Sequence, residues 1–264
     1  MSYDSSMVIP ERFRPSFAIS PVADIPVVDK AEARRRLIVA LDVPNAQAAT
    51  ELVDRLGESC QWFKVGMELF TACGPLIVEQ LTARGHSVFL DLKFHDIPNT
   101  VAGAVRSAAA LGVRMVNVHA QGGPAMLEAA RVALEGLANP PQLLAVTVLT
   151  SMDQKQLRAA GIGRTPAKQV EVLANMALTA GIRGFVCSAE EVAALRALTG
   201  PEGVLVTPGI RPAGADVGDQ SRIATPAEAL RQGASYIVVG RPITQAADPA
   251  AAAEAILEEM AGAI

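Results

Sequence analysis

VFLDLKFHDIPNTVAGAVRSAAALG, Val88–Gly112, holds one complete structural repeat. Val88–Phe94 is a short run rich in bulky apolar residues, of the length and composition of a buried strand. Asn99–Leu111 is Ala-rich with helical periodicity, and Gly112 suits the left-handed cap that ends many helices. Between them lies a short connection containing a proline. Two charges, Asp91 and Lys93, interrupt the strand, and a third, Asp96, follows it.

The same rhythm extends in both directions. Strands are expected at Leu37–Val43, Trp62–Met67, Val88–Phe94, Met115–Ala120, Leu143–Leu149, Gly184–Ser188, Val204–Ile210 and Tyr236–Gly240. Helices are expected at Pro44–Leu56, Gly74–Arg84, Asn99–Leu111, Gly123–Leu137, Pro166–Ala180, Ala189–Leu198, Thr225–Gln232 and Pro249–Met260, with a short extra one at Asp153–Ala160. Thr165-Pro166, Thr225-Pro226 and Asp248-Pro249 each place a capping side chain before a proline suited to the first helical position. Gly85, Gly112, Gly181, Gly200 and Gly233 stand where helices should end. Eight strand–helix units predict an α/β fold, a single-domain (β/α)8 barrel over residues 37–264. An open doubly wound sheet would show a Gly-rich turn after the first strand, and Val43-Pro44-Asn45-Ala46 is not one. Residues 1–36 read as an N-terminal extension of unknown role, ending in a helical entry at Asp29–Arg36, with no apolar core of signal-peptide type.

Composition narrows the function. Half of the 264 residues are hydrophobic, enough for a folded core. Aromatics are only 4%, so Ala, Val, Leu and Ile must build that core. With 23 basic against 27 acidic residues the net charge is −4, which disfavours a nucleic-acid partner. No apolar run approaches membrane-spanning length. Cys60, Cys73 and Cys187 are isolated and lack metal-ligand spacing, as expected of free thiols in the cytoplasm.

Barrel chemistry sits at the C-terminal ends of the strands, and the polar residues there are the informative ones. Strand periodicity of two puts Asp91 and Lys93 on the face opposite Leu90, Leu92 and Phe94, so they face the barrel axis. The same alternation turns Asp42 inward with Ala40, and Lys64 inward with Gly66. Four charges of alternating sign thus converge. A purely structural salt-bridge network is the alternative, but apolar residues of similar volume usually stabilise an interior at least as well. A second cluster lies in units seven and eight, where barrels often bind phosphate. Gly240 allows close backbone approach, Arg211 and Arg241 supply forked donors, and Gln220 adds an amide. His95, His119 and His86 show no metal-ligand spacing, and His119 reads as a structural histidine.

Asp91-Leu92-Lys93-Phe94-His95-Asp96-Ile97-Pro98-Asn99-Thr100 resembles the signature of the orotidine-5′-phosphate decarboxylase family. Ala40-Leu41-Asp42, Lys64-Val65-Gly66, Val148-Leu149-Thr150-Ser151, Pro208–Pro212, Gly218-Asp219-Gln220 and Gly240-Arg241-Pro242 agree with it in order. The resemblance covers Leu37 to the C-terminus. It implies conversion of orotidine 5′-phosphate to UMP and CO2, the last step of UMP synthesis, by a homodimeric barrel with shared active sites and no metal or organic cofactor. It implies that Asp42 and Lys64 hold the ribose hydroxyls, that Asp91 sits beside the substrate carboxylate and pairs with Lys64, and that Lys93 protonates C6. Asp96 and Thr100 would serve the neighbouring subunit's site. Thr150 and Ser151 would touch the pyrimidine, and Gln220, Arg211, Arg241 and the Gly240 backbone would hold the phosphate. Two rival readings are an Mg2+-dependent sugar-phosphate lyase or aldolase with a similar Asp-x-Lys-x-x-Asp pattern, and a non-catalytic phosphosugar-binding barrel. The segments Gly161–Thr165 and Pro212–Gln220 are expected to act as lids.

Overall fold

A computed structural model describes residues 29–212 and 224–262 of the chain. Its eight strands are β1 (Leu37–Ala40), β2 (Trp62–Gly66), β3 (Ser87–Phe94), β4 (Met115–His119), β5 (Gln142–Val146), β6 (Gly184–Val186), β7 (Val204–Thr207) and β8 (Tyr236–Val239). They are parallel and close into a barrel in chain order, with β8 pairing back onto β1. Each lies within or overlaps the run that the sequence predicts.

Helices surround the barrel. They are α1 (Lys30–Arg36), α2 (Ala46–Leu56), α3 (Met67–Cys73), α4 (Leu76–Ala83), α5 (Pro98–Ala110), α6 (Pro124–Val132), α7 (Gln154–Ala159), α8 (Pro166–Thr179), α9 (Ala189–Thr199), α10 (Pro226–Arg231), α11 (Arg241–Thr244) and α12 (Pro249–Ala261). The expected caps form: Thr165, Thr225 and Asp248 accept from the backbone N–H of Lys168, Glu228 and Ala251. All five glycines expected at helix ends have positive φ, from 69° to 101°. Such a φ is costly for residues with a Cβ, so glycine there is a backbone requirement.

Two helices escaped the sequence reading. That reading carried β2 into Met67 and began a helix at Gly74, whereas the strand ends at Gly66 and α3 starts at Met67. Seven residues ending at Gly74-Pro75 are too few for periodicity to separate helix from strand. The single turn α11 is shorter still.

Alternation divides the apolar residues into two layers. Ile38, Ala40, Phe89, Met115, Leu144, Val206 and Val238 form the inner cluster, and their neighbours along each strand join the outer core against the helices. Trp62 and Tyr236 open their strands, so they sit at the N-terminal end of the barrel. They meet edge to face with centroids 5.3 Å apart. α1 packs on α12 through fully buried Ala33 and the Lys30–Glu254 and Arg34–Glu254 ion pairs. No described helix is long and apolar enough to cross a membrane.

Strand spacing leaves no room for a side chain at Gly184 in β6. An added Cβ would lie 2.6 Å from Leu144 Cδ2 and 2.7 Å from the Leu143 carbonyl oxygen. The backbone oxygen cannot rotate away, so Gly184→Ala should destabilise the barrel by about 1–3 kcal/mol in urea unfolding. Gly163→Ala meets nothing within 4 Å and should stay within about 0.5 kcal/mol of the parent.

Candidate active site

At the C-terminal end of the barrel lies a cavity of about 430 Å³. Ala40, Phe89, Val146, Val186 and Val238 supply its apolar wall, and Asp42, Lys64, Asp91 and Lys93 its charged one. Thr150, Arg211, Gly240 and Arg241 also border it. That size falls within the roughly 300–1,000 Å³ of small-molecule sites.

The four charges form one chain of contacts. Lys64 Nζ lies 2.8 Å from Asp42 Oδ1 and 3.6 Å from Asp91 Oδ2. Lys93 Nζ donates to Asp91 Oδ1 at 2.7 Å. Lys64 and Asp91 are 11% and 13% exposed, against 56% for Asp42. The first two are deep enough to need each other, whereas Asp42 stands at the rim, two residues beyond the end of β1. Gly66 makes the arrangement possible: a Cβ there would lie 2.9 Å from Lys64 Nζ and 3.3 Å from Asp42 Oδ1.

Asp91 and Lys93 both reach the cavity, but simple alternation is not the reason. β3 and β4 pair at Leu90↔Val116 and next at Phe94↔Val118, so β3 carries two extra residues across that gap. Within it Lys93 has φ 51°, the single positive φ among the described non-glycine residues. Such a conformation costs on the order of 1–3 kcal/mol and persists where the surroundings enforce it. The enforcing group is Asn117 of β4, a residue the sequence reading missed. Its Oδ1 accepts the Lys93 backbone N–H at 2.8 Å, and its Nδ2 donates to Asp91 Oδ1 at 2.7 Å. The available signal was a polar residue in an apolar strand, two positions from inward-facing Met115.

Arg211 and Arg241 are brought to the cavity, as the sequence predicts. Arg211 is buried, with its N–H bonded to the Ala224 carbonyl and its Nη1 donating to the Ile210 carbonyl at 3.0 Å. Arg241 opens α11 directly after Gly240. Thr150 borders the cavity, but neighbouring Ser151 is exposed and does not. Gln220 and most of the expected lid Pro212–Gln220 lie outside the described residues. Asp96 and Thr100 are exposed and away from this cavity, and Asp96 Oδ1 accepts the N–H of Ile97. Ile97 itself is 67% exposed, so this segment faces outward. Gln245 and Cys187 also border the cavity, and no motif marked either of them.

His119 is absent from the cavity wall. It stacks on His95 with centroids 5.5 Å apart, and its Nδ1 accepts the Gln121 N–H at 3.4 Å. Burial, then the nearby charges of His95 and Lys93, lowers its pKa below the usual imidazole value. Among the described residues no three His, Cys, Asp or Glu side chains gather as metal ligands. Cys60, Cys73 and Cys187 form no disulfide, and burial pushes the Cys60 thiol up to about 12.

Residues 35–256 match the model of the orotidine 5′-phosphate decarboxylase / HUMPS family. The chain is 55% identical over 237 residues to orotidine 5′-phosphate decarboxylase of Moorella thermoacetica, covering 88% of this chain and 94% of that protein. It is 56% identical over 228 residues to the protein of that name from Saccharophagus degradans, covering 86% and 96%. The crystal structure of orotidine 5′-phosphate decarboxylase from Lactobacillus acidophilus superposes with a TM-score of 0.76 at 43% identity, over 85% of this chain and 98% of that one.

The lowered pKa of His119 has a consequence for stability. Below the ordinary imidazole value of 6.5 the unfolded chain binds a proton that the folded chain resists. Stability should therefore rise with pH through that region and fall on acidification. His119→Asn keeps a capping acceptor for Gln121 and removes the titration. Urea midpoints measured from pH 7.5 down to 5 should fall less steeply in the variant. A residual slope should remain from His86, whose pKa burial and Arg84 also lower.

Proposed function

The chain belongs to the orotidine 5′-phosphate decarboxylase / HUMPS family, and we propose from that premise that it converts orotidine 5′-phosphate to UMP and CO2. The observation that carries this reading is the Lys64–Asp91–Lys93 array, two ammonium groups on one carboxylate beside an apolar wall.

Breaking the bond between C6 and the carboxylate leaves an electron pair in the plane of the pyrimidine, where the ring π-system cannot delocalise it. Fixed charge can lower that barrier without an electron sink. The Lys93 ammonium stabilises the developing carbanion and then transfers a proton to C6. Its amine regains a proton from solvent, so one proton is consumed and one CO2 released. Asp91 faces the departing carboxylate; that repulsion is present while the substrate is charged and vanishes as CO2 leaves. Asp42 at the rim and Lys64 below it hold the ribose hydroxyls. Thr150, with Ser151, contacts the pyrimidine edge. Arg211, Arg241 and the Gly240 backbone, joined by Gln220, bind the phosphate. Phosphate is remote from C6, so its binding energy can serve to align the charged groups.

In this reading neither a metal nor an organic cofactor takes part, and the unit is a homodimer. Asp96 and Thr100, exposed beside Ile97, reach the site of the neighbouring subunit. Residues 37–264 form the catalytic domain, and residues 1–36 are an extension without an assigned role. Three cysteines outside any disulfide suit a reducing compartment such as the cytoplasm.

Two experiments test this. Loss of orotidine 5′-phosphate absorbance with formation of UMP should persist in EDTA, whereas an Mg2+-dependent lyase would stop. In the same assay Lys93→Ala should lower kcat by about a thousandfold or more while the fold is retained. Activity within about tenfold of the parent would remove Lys93 from the chemistry. For the shared site, inactive Lys93→Ala and inactive Asp96→Ala are mixed and allowed to exchange subunits. Random pairing makes about half the dimers mixed, and one of the two sites in each is intact, so roughly a quarter of all sites should regain activity. No recovery after verified exchange would mean that Asp96 serves its own subunit.

A further inference from the structure

We infer that Asn117 is a positioning residue for decarboxylation: its amide locks the two reacting-site groups of β3, the Lys93 backbone and the Asp91 carboxylate, to β4. This deepens the proposed function and rests on it.

Asn117 is completely buried in the middle of β4 and does not border the cavity. It therefore cannot touch substrate, and its effect must pass through its partners. Both ends of its amide are used. Oδ1 accepts the Lys93 N–H at 2.8 Å, and Nδ2 donates to Asp91 Oδ1 at 2.7 Å. The amide orientation follows from chemistry. A backbone N–H requires an acceptor and an ionised carboxylate requires a donor, so the reverse orientation would lose both bonds.

The backbone explains why this residue is needed. Where β3 gains two residues over β4, the Lys93 N–H has left the regular ladder. A buried backbone donor without a partner is costly, and Asn117 supplies the acceptor from its side chain instead. The bond holds Lys93 at φ 51°, and in that conformation its ammonium turns back to within 2.7 Å of Asp91 Oδ1. The second bond fixes the rotamer of that same carboxylate. One amide thus sets the relative position of proton donor and carboxylate. A reacting group misplaced by about 1 Å can cost about a hundredfold in rate.

The titratable and charged groups around the amide are Asp91 and Lys93 on β3, Lys64 of β2 behind Asp91, and His119 on its own strand, stacked on His95. On the other side β5, Gln142–Val146, carries no charge.

Two substitutions test the role against the parent protein in the orotidine 5′-phosphate assay. Asn117→Leu removes both bonds at similar volume. It should lower kcat by about a hundredfold, with KM and the dissociation constant for UMP within about threefold of the parent, because the phosphate and ribose contacts are untouched. Asn117→Asp keeps the acceptor for Lys93 and converts the donor into a titrating group. When protonated, the introduced carboxyl can donate to Asp91; when ionised, it repels it. Its kcat should therefore be recovered towards the parent value at low pH and lost as pH rises, a limb the parent lacks, while circular dichroism shows the protein folded at both ends. If Asn117→Leu does not fold, Asn117→Asp carries the test, because it is compared with itself at two pH values. The inference is overturned if folded Asn117→Leu keeps kcat within about threefold of the parent, or if Asn117→Asp shows the parent's pH profile. Absence of turnover in the parent itself would instead overturn the proposed reaction.

Discussion

The carboxylate of Asp91 is where the molecule concentrates its constraints. One oxygen takes the Lys93 ammonium and the Asn117 amide, and the other faces the Lys64 ammonium at 3.6 Å. A carboxylate only 13% exposed needs donors from the protein, and three strands supply them. β2 brings Lys64, β3 brings Lys93 and Asp91 itself, and β4 brings Asn117. No single strand–helix unit could assemble this set. Parallel pairing of β2 with β3 and of β3 with β4 places those strands side by side, so the site depends on the same hydrogen-bond ladder that makes the fold.

The interior divides two tasks that would conflict if mixed. Beneath the cavity Trp62, Tyr236, Ile38, Met115, Leu144 and Val206 provide burial and resist distortion. At the C-terminal end the same inward-facing rows change to charge. Rigid packing below lets charged groups above stand in fixed positions, which electrostatic catalysis requires because reorientation during the reaction would cancel the benefit. Arg211 and Arg241 of units seven and eight border the same cavity, so the proposed reaction would draw phosphate recognition and chemistry at a ring carbon from different strand–helix units.

Strain at Lys93 fits that division. Among the described non-glycine residues a single one takes a positive φ, and it is the residue proposed for proton transfer. The register gap opposite β4 provides the freedom, and the Asn117 side chain removes it again. Regular alternation would also have pointed Lys93 inward, but it would have left the Lys93 N–H in the ladder and the ammonium to find its own position.

Much of this protein is readable in one dimension. Eight apolar runs alternating with helical periodicity determined the closed barrel, because a strand buried on both faces and a helix buried on one demand different residue spacings. Capping residues such as Thr225 and Asp248, and glycines such as Gly181 and Gly233, marked helix ends by local backbone chemistry. The inward charges Asp42, Lys64, Asp91 and Lys93 were legible because charge inside an apolar strand is expensive enough to need a reason. Tertiary structure alone decided the rest. Asn117 acquires its meaning from β3, 24 residues away from its partner Lys93, and the left-handed turn of Lys93 arises from a mismatch between two strands. Thr150 and Ser151 are adjacent in sequence, yet one borders the cavity and the other faces out. Periodicity reports which face of an element a residue occupies; how two elements register against each other is a property of the pair, and no single segment encodes it.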